Sequence, residues 1–440
     1  MRPMGSFQRP RGTRDLLPGT MQRREAYLRT VRALMHGAGY GEVLTPTFEH
    51  LELFEAKSGA GIRDELYAFD DKSGRKLTLR PELTAAVMRA YLEEMTHLPK
   101  PLKLYYIANC FRYERPQAGR YREFWQIGAE LLGADPLLGD VETIALAWRC
   151  LQAAGVETLH VRLGHLGLVR GLLAEGKVEQ PEPVLRLLDK GDRQGLQEHL
   201  LTIGADEVAA PLLDLLAARS APSQEQLQLA TELSQSHPSI LPTVGHLQRL
   251  LALLHHANVP SIHLDLAIAR GFDYYTGMVF EVDVPTLGAE KQVCGGGAYD
   301  LLEAFGGVST PTTGFAIGID RMLLAQEQTR GAPAPLEALD VLVVPLAPQA
   351  IPLAWQLVTK VRDTTALSVE VELAGRNLGK ALKYADARAT TVVVIIGERE
   401  VAAGEATLRW LSDGTQRSVP IDLVAATLRA GDGSAQAPLP

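Results

Sequence analysis

A carboxylate and a carboxamide standing either side of a glycine can grip a small, donor-rich ligand, and the chain carries such a set in Gln126, Gly128 and Glu130. They lie in LKLYYIANCFRYERPQAGRYREFWQIGAELLG, residues 102–133, which reads as two long strands joined by a polar loop around RPQAGRY. Alternation along a strand puts Phe124, Gln126, Gly128 and Glu130 on one face, and Ala108, Cys110, Arg112 and Glu114 together on the partner strand. Gly128 reads as room left for a ligand, and a solvated hairpin face is the other reading. The loop holds Arg112, Arg115, Arg120 and Arg122 against the single acid Glu114, a set that can bind phosphate or simply be solvated. In TLRPELTAAVMRAY the spacing predicts a helix opening at Pro81. Glu82 and Thr84 would fall in its first turn, either favoured there by the macrodipole or holding an ammonium group.

Farther along, LDLAIARGFDYYTGMVFEV places Arg270 and Gly271 after an apolar strand. An arginine at such a strand end needs an anion, either a structural acid or a phosphate in a transition state. Tyr274 and Tyr275 read as core or pocket aromatics. CGGGAYD, 294–300, lets backbone approach a ligand or merely turns tightly. Arg321 falls in the first turn of a helix following Gly318, where a neighbouring phosphate explains it better than helix stability does. His255 and His256 cannot share a helix face and have no zinc spacing, so no protein-held metal is expected. No GxxxxGK[ST] and no strand-borne GxGxxG occurs, so any nucleotide must be held in another way.

The elements that must position these groups fit 440 residues divided into two or three domains. With 46% hydrophobic and 22% charged residues the composition is that of a globular protein. A net charge of -8 argues against unspecific coating of nucleic acid or membrane and leaves room for a local basic patch. Cys110, Cys150 and Cys294 lie too far apart for a disulfide framework or a thiolate zinc site, as in a reducing compartment. No apolar run reaches membrane-spanning length and the opening residues lack a secretory pattern, so the expected location is cytoplasmic. Strands and helices over 1–171 give way to Leu/Ala/Gln/Glu-rich helical segments over 172–256, read as an inserted module. Strands resume over 257–330, GAPAPLEA within 331–339 reads as a linker, and 340–430 alternates strand with helix as a small open α/β sheet does, leaving 431–440 as a tail.

Taken together these stretches resemble the histidyl-tRNA synthetases, class II aminoacyl-tRNA synthetases, over almost the whole chain. RGTRDLLP resembles their opening segment, GYGEVLTPTFE their motif 1, FRYERPQAGRYREF motif 2 and GIDRMLL motif 3. ARGFDYYTG resembles a histidine-specific signature, LRPELTA another family stretch, and GRNLGKALKYAD part of the anticodon-binding domain. The resemblance implies an α+β fold: an antiparallel-sheet catalytic domain with a helical insertion, then a small α/β anticodon-binding domain. It implies a cytoplasmic homodimer that makes histidyl-adenylate from L-histidine, ATP and Mg2+, then transfers histidine to the 3′ end of tRNA(His). By motif position, Glu82, Thr84 and Gln126 would hold the substrate ammonium, with Glu130 and Tyr275 reading the imidazole beside Tyr274. Arg112 would grip the α-phosphate and carboxylate, Phe124 would stack on adenine, Glu114 would join the ATP site and Arg321 would meet the γ-phosphate. Arg270 would act at the α-phosphorus, and Arg115 and Gln117 would contact the tRNA acceptor end. One departure is GGGAYDLL where many relatives read GGGRYDGL, with Ala298 for arginine and Leu301 for glycine. The rival implied by the same fold is the synthetase-like, histidine-sensing regulatory subunit of ATP phosphoribosyltransferase. Such paralogues usually lack the anticodon domain and tend to lose catalytic residues, whereas Arg112, Arg270 and Arg321 all stand here.

Overall fold

In the computed structural model the described residues are 7–58, 60–115, 119–260, 262–268, 275–333 and 337–430. They form two compact units, one of Met1–Leu16 with Arg23–Pro333 and one of Leu17–Gln22 with Ala334–Pro440.

Helix α1 (Pro18–Gly37) buries Tyr27, Leu28, Val31 and Met35 at helical spacing. After β1 (Gly41–Glu42) come β2 (Phe48–His50), α2 (Leu51–Ser58), β3 (Ala68–Asp70) and β4 (Lys76–Leu79), with β2, β4 and β3 forming a small sheet. Helix α3 (Thr84–Ala90) leads to the long hairpin β5 (Leu102–Phe111) and β6 (Glu123–Leu132). Helix α4 (Pro136–Gln152) is started by Pro136 in its first turn and by Asp135, whose Oδ1 accepts the Leu138 N–H at 3.0 Å. Strand β7 (His160–His165) opens into six helices, α5 (Leu166–Glu175), α6 (Glu182–Lys190), α7 (Arg193–Thr202), α8 (Asp206–Ala217), α9 (Ser223–Ser236) and α10 (Leu241–His256). Then follow β8 (Ile262–Leu264), β9 (Tyr275–Asp283), β10 (Gln292–Tyr299), β11 (Thr312–Gly318) and α11 (Ile319–Arg330).

Eight strands form one mixed, largely antiparallel sheet in the order β1-β5-β6-β11-β10-β9-β7-β8. Its rear face carries Ile127, Ala129, Val161, Leu163, Phe280, Val282, Phe315 and Ile317, which share one core with Ile144, Ala147 and Leu151 of α4. The helices α5 to α10 belong to that same core through Leu172, Leu188, Leu212 and Leu250, because each presents only one apolar stripe and needs the sheet and its neighbours to cover it. The front face is different. Register places Tyr106, Gly128, Ala316, Gly295, Glu281, Arg162 and His263 side by side in one row across seven strands. A second row holds Leu104, Glu130, Gly314, Gly297, Val279 and Gly164. Polar groups stand toward the two ends of a floor made of glycine and alanine.

The smaller unit is a five-stranded sheet of β12 (Val341–Pro345), β13 (Val369–Val371), β14 (Val392–Ile396), β15 (Glu405–Trp410) and β16 (Gln416–Pro420) in the order β13-β12-β14-β15-β16. The first three are parallel, as strand and helix alternation requires, and the last two add antiparallel edges. Helices α12 (Ala350–Thr364) and α15 (Val424–Ala430) pack on Val343 and Val394, and α13 (Leu378–Ala387) packs on the opposite face with Leu342 and Val393. Asn377 caps α13, accepting the Lys380 N–H at 3.0 Å, and the short α14 (Glu398–Ala403) follows β14.

Candidate active site

A cavity of about 790 Å³ opens on the front face and brings together Glu82, Thr84, Arg112, Glu114, Phe124, Gln126, Glu130, Tyr275 and Arg321. Arg115 is exposed and does not line it. Arg270, Tyr274 and Gln117 lie outside the described residues.

Glu130 is the anchor of one end. It is 1% exposed, and Oε1 accepts the hydroxyls of Thr84 at 2.9 Å and Tyr106 at 3.3 Å, while Oε2 accepts that of Tyr299. Burial first, and the Glu130 charge second, raise both phenols well above their ordinary pKa, so they stay protonated donors. Gly314 makes the placement possible, since a Cβ there would stand 2.0 Å from Glu130 Oε2 and 2.6 Å from the Ala129 carbonyl. Gly128 does something other than the sequence suggests. The space above it is filled by the Tyr106 ring, which a Cβ would meet at 2.2 Å, so this glycine makes room for a phenol that holds Glu130 and not for a ligand.

The start of α3 also differs from the expectation. The helix begins at Thr84, not Pro81, because the Glu82 carboxylate accepts the N–H groups of Thr84 at 2.6 Å and Ala85 at 3.1 Å and stands as an acidic cap outside the first turn. Glu82 therefore has a structural task while still facing the cavity. Gln126 Oε1 accepts the Cys110 thiol at 3.3 Å, and burial pushes that thiol up to about 12, which keeps it a donor and fixes the amide's orientation. Tyr275 lies edge-on to Tyr299, with ring centroids 6.3 Å apart.

Guanidinium groups gather on the opposite wall. Arg112 Nε donates to the Pro81 carbonyl at 3.0 Å, and its guanidinium lies 5.3 Å from the centroid of the Phe124 ring. Glu114 is shared between Arg112, at 3.9 Å, and Arg120. Arg321 donates to the carbonyls of Gln292 and Gly119. The first turn of α11 does hold the acid that helix electrostatics prefer: Asp320 accepts the Trp125 N–H at 2.7 Å and pairs with Arg14. Arg14 also lies 4.5 Å over the Tyr121 ring, and the Gly12 carbonyl accepts the Arg122 N–H at 2.8 Å. The opening RGTRD is thus threaded between the arginine loop and α11. Arg80, 2% exposed, donates to the carbonyls of Thr45, Pro46 and Asn109, tying the segment before β2 to β5.

Sequence reasoning missed Tyr106, Tyr299 and Arg162. Alternation from Ala108 would have put Tyr106 on the site face, whereas Arg162 is revealed only by its cross-strand partner Glu281. Ala298 does not line the cavity; a Cβ on Gly277 would meet its methyl at 3.1 Å, and Leu301 is buried beside Leu83, Met88 and Tyr299, so both departures fall on packing positions. The arrangement offers acceptors and a deep carboxylate at one end, a flat aromatic ring and three guanidinium groups at the other, and an unobstructed floor between them.

The family model for histidyl-tRNA synthetase matches residues 12–322, and one for an anticodon binding domain matches 340–431. A histidine–tRNA ligase of Archaeoglobus fulgidus is 45% identical over 416 residues, covering 94% of this chain and 97% of that protein. One of Methanosphaerula palustris is 44% identical over 426 residues, covering 96% and 99%. The crystal structure of apo S. aureus histidyl-tRNA synthetase superposes with a TM-score of 0.74 at 27% identity, covering 96% of this chain and all of that one.

Proposed function

The chain belongs to the histidyl-tRNA synthetase family, and from that premise we propose which residues carry its reaction. The activity is that of a histidine–tRNA ligase driven by ATP, and the histidine-sensing regulatory subunit is not favoured. In the first step a carboxylate oxygen of histidine attacks the α-phosphorus and pyrophosphate leaves. In the second, a terminal hydroxyl of tRNA(His) attacks the resulting acyl-adenylate and AMP leaves.

Glu130 carries the reading. A carboxyl group oriented by three hydroxyl donors in a buried place fixes the tautomer and orientation of an imidazole that donates to it. Tyr275 joins it on the ring, with Tyr274 beside. Glu82, Thr84 and Gln126 receive the ammonium group. Arg112 grips the α-phosphate and the substrate carboxylate, Phe124 stacks on adenine with Glu114 nearby, and Arg321 meets the γ-phosphate. Arg270 stabilises the charge that develops at the α-phosphorus, an electrostatic contribution that dominates in such transfers. Arg115 and Gln117 face the acceptor end of the tRNA. Among the described residues no group of three or more His, Cys, Asp or Glu side chains gathers as a metal seat. We propose that Mg2+ arrives with ATP, where it would neutralise charge on the leaving pyrophosphate.

The test is histidine-dependent exchange of pyrophosphate into ATP. Exchange with histidine alone among the twenty amino acids is expected, and its absence from folded protein would remove the ligase reading. Residues 1–171 and 257–330 are proposed as the catalytic domain, 172–256 as its insertion and 340–430 as the anticodon-binding domain. A chain ending at Arg330 is expected to retain exchange while tRNA charging falls on the order of a hundredfold, because two linked contact regions reinforce each other. Equal charging by the two lengths would reject that division. A homodimer is proposed through the segment GYGEVLTPTFE, where Leu44 is 75% and Phe48 54% exposed, and sedimentation at micromolar concentration decides it. Among the described residues no helix is long and apolar enough to cross a membrane, and a cytoplasmic location is proposed from the enzyme's place in translation.

A further inference from the structure

The ladder of the long hairpin ends at the Phe111–Glu123 pair, so Gly119, Arg120 and Tyr121, which all line the cavity, lie beyond it. Arg120 pairs with Glu114, and Arg122 Nε donates to the Glu114 carbonyl at 3.2 Å, contacts that stay within the loop. The opening of the chain reaches the loop from outside. Gly12, with a φ of 86° that glycine adopts at little cost, turns the backbone, and the Thr13 N–H and hydroxyl both donate to the Pro10 carbonyl, at 3.2 and 2.8 Å. The turn presents the Gly12 carbonyl to the Arg122 N–H at 2.8 Å and brings the Arg14 side chain between the loop and α11.

Arg14 is largely buried and does not line the cavity. Its guanidinium lies 4.5 Å from the centroid of the Tyr121 ring and pairs with Asp320, itself 5% exposed. Asp320 accepts the Trp125 N–H of β6 at 2.7 Å and stands next to Arg321, whose Nε donates to the Gly119 carbonyl at 3.4 Å. One side chain thus ties the loop, β6 and the first turn of α11 together. Arg24 of α1, 3.9 Å from the Trp125 ring centroid, feels the Asp320 charge as well, so that carboxylate keeps a cation nearby when Arg14 is absent. A guanidinium suits the place because its flat face covers an aromatic ring while its edge donates to a carboxylate, two contacts that an ammonium makes less well together.

We infer that Arg14 is a positioning residue for the nucleotide end of the site: it clamps Tyr121 to Asp320, so that the loop stays closed with Arg120 and Arg321 on the cavity wall. Arg14 acts through these groups and does not touch the reacting atoms. The inference gives the opening segment a part in activation, and it rests on the cavity being the site of that reaction.

Two measurements are read together: pyrophosphate exchange, with KM for ATP and for histidine determined separately, and the rate of trypsin cleavage after Arg120. Arg14→Met is expected to raise the ATP KM about tenfold and to speed that cleavage about tenfold, with the histidine KM within about twofold because the Glu130 end is untouched. Arg14→Lys, which keeps the pair with Asp320 and loses the flat stack, is expected within about threefold of wild type in the ATP KM. Tyr121→Leu added to Arg14→Met is expected to cost nothing further, since the two act through one contact. Any of four results would overturn the proposal: an unchanged ATP KM, both KM values rising together, cleavage no faster than in wild type, or Arg14→Lys as impaired as Arg14→Met. Should Arg14→Met not fold by circular dichroism, Tyr121→Leu serves instead, with the same split between the two KM values and the same faster cleavage expected, and an even rise in both KM values rejecting the clamp. Wild-type protein without histidine-dependent exchange would sink the functional reading, an outcome distinct from all of these.

Discussion

Glu130 and Glu281 are buried carboxylates on the same face of one sheet, and they are held in opposite ways. Glu130 is surrounded by the hydroxyls of Thr84, Tyr106 and Tyr299, neutral donors that orient it without adding a charge of their own. Glu281 is matched by the guanidinium of Arg162, a charge that cancels its own. The lesson is that burial alone does not say what a carboxylate offers to a ligand. Neutral donors preserve an anionic socket suited to a donor-rich cation or ring, whereas a charged donor turns the same side chain into part of an electrically quiet wall. One glycine-floored sheet thereby carries both arrangements on the same face.

Removing the charge at the socket should have the largest effect. Glu130→Gln is expected to lower kcat/KM for histidine on the order of a hundredfold, about 3 kcal/mol, with the ATP KM nearly unchanged. If ATP binding fell equally, the two ends would not be separate. Next in size is a test of whether acid sensitivity originates on the site face at all. His165 faces the rear of the sheet, where its ring lies edge-on to His246 and its Nδ1 accepts the Gly167 N–H at 3.0 Å to cap α5. Burial first, and His246 second, lower its pKa to about 3. The unfolded chain therefore binds a proton that the folded chain refuses between about pH 6.5 and 3, so stability falls as pH drops through that window, by about 2 kcal/mol at pH 5. Urea unfolding at pH 7.5 and 5.0 should show this loss in the wild type and a flatter profile in His165→Gln; equal slopes would move the acid-sensitive group elsewhere. The smallest effect sharpens the role of the neutral donors. Tyr299→Phe takes one hydroxyl from Glu130 and leaves the others, and about 1.5 kcal/mol, roughly tenfold in histidine kcat/KM, is expected. A loss as large as that of Glu130→Gln would mean the three donors act only as a unit.

Much of this was legible in advance. The alternation over 123–132 put Gln126 and Glu130 on one face, and the structure finds both on the cavity. The alternation of strand with helix over 340–430 was plain from its valine-rich runs. What stayed hidden depends on register and on distant pairing. Gly128 looked like ligand space because nothing in a linear sequence says that Tyr106 stands across from it. Arg162 is an unremarkable residue of a short strand until β9 is placed beside it. Asp320 could not be matched to Arg14 from sequence, since the two come together only when the opening segment crosses the finished sheet. Glu82 was ambiguous for a different reason: the same carboxylate can serve a helix terminus and a ligand, and local preference cannot separate tasks that share one geometry.

The pairing of β6 with β11 also governs the order in which the protein comes into being. On the ribosome, β5 and β6 emerge as a hairpin, and α5 to α10, built on near-neighbour contacts, follow long before Gly314 is synthesised. Until then β6 carries an open edge, and Glu130 lacks both the glycine that makes space for it and Tyr299, its third donor. The complete setting of Glu130 is therefore absent from every nascent chain that stops short of β11. Protection of the β6 edge during that interval falls to whatever meets the emerging chain.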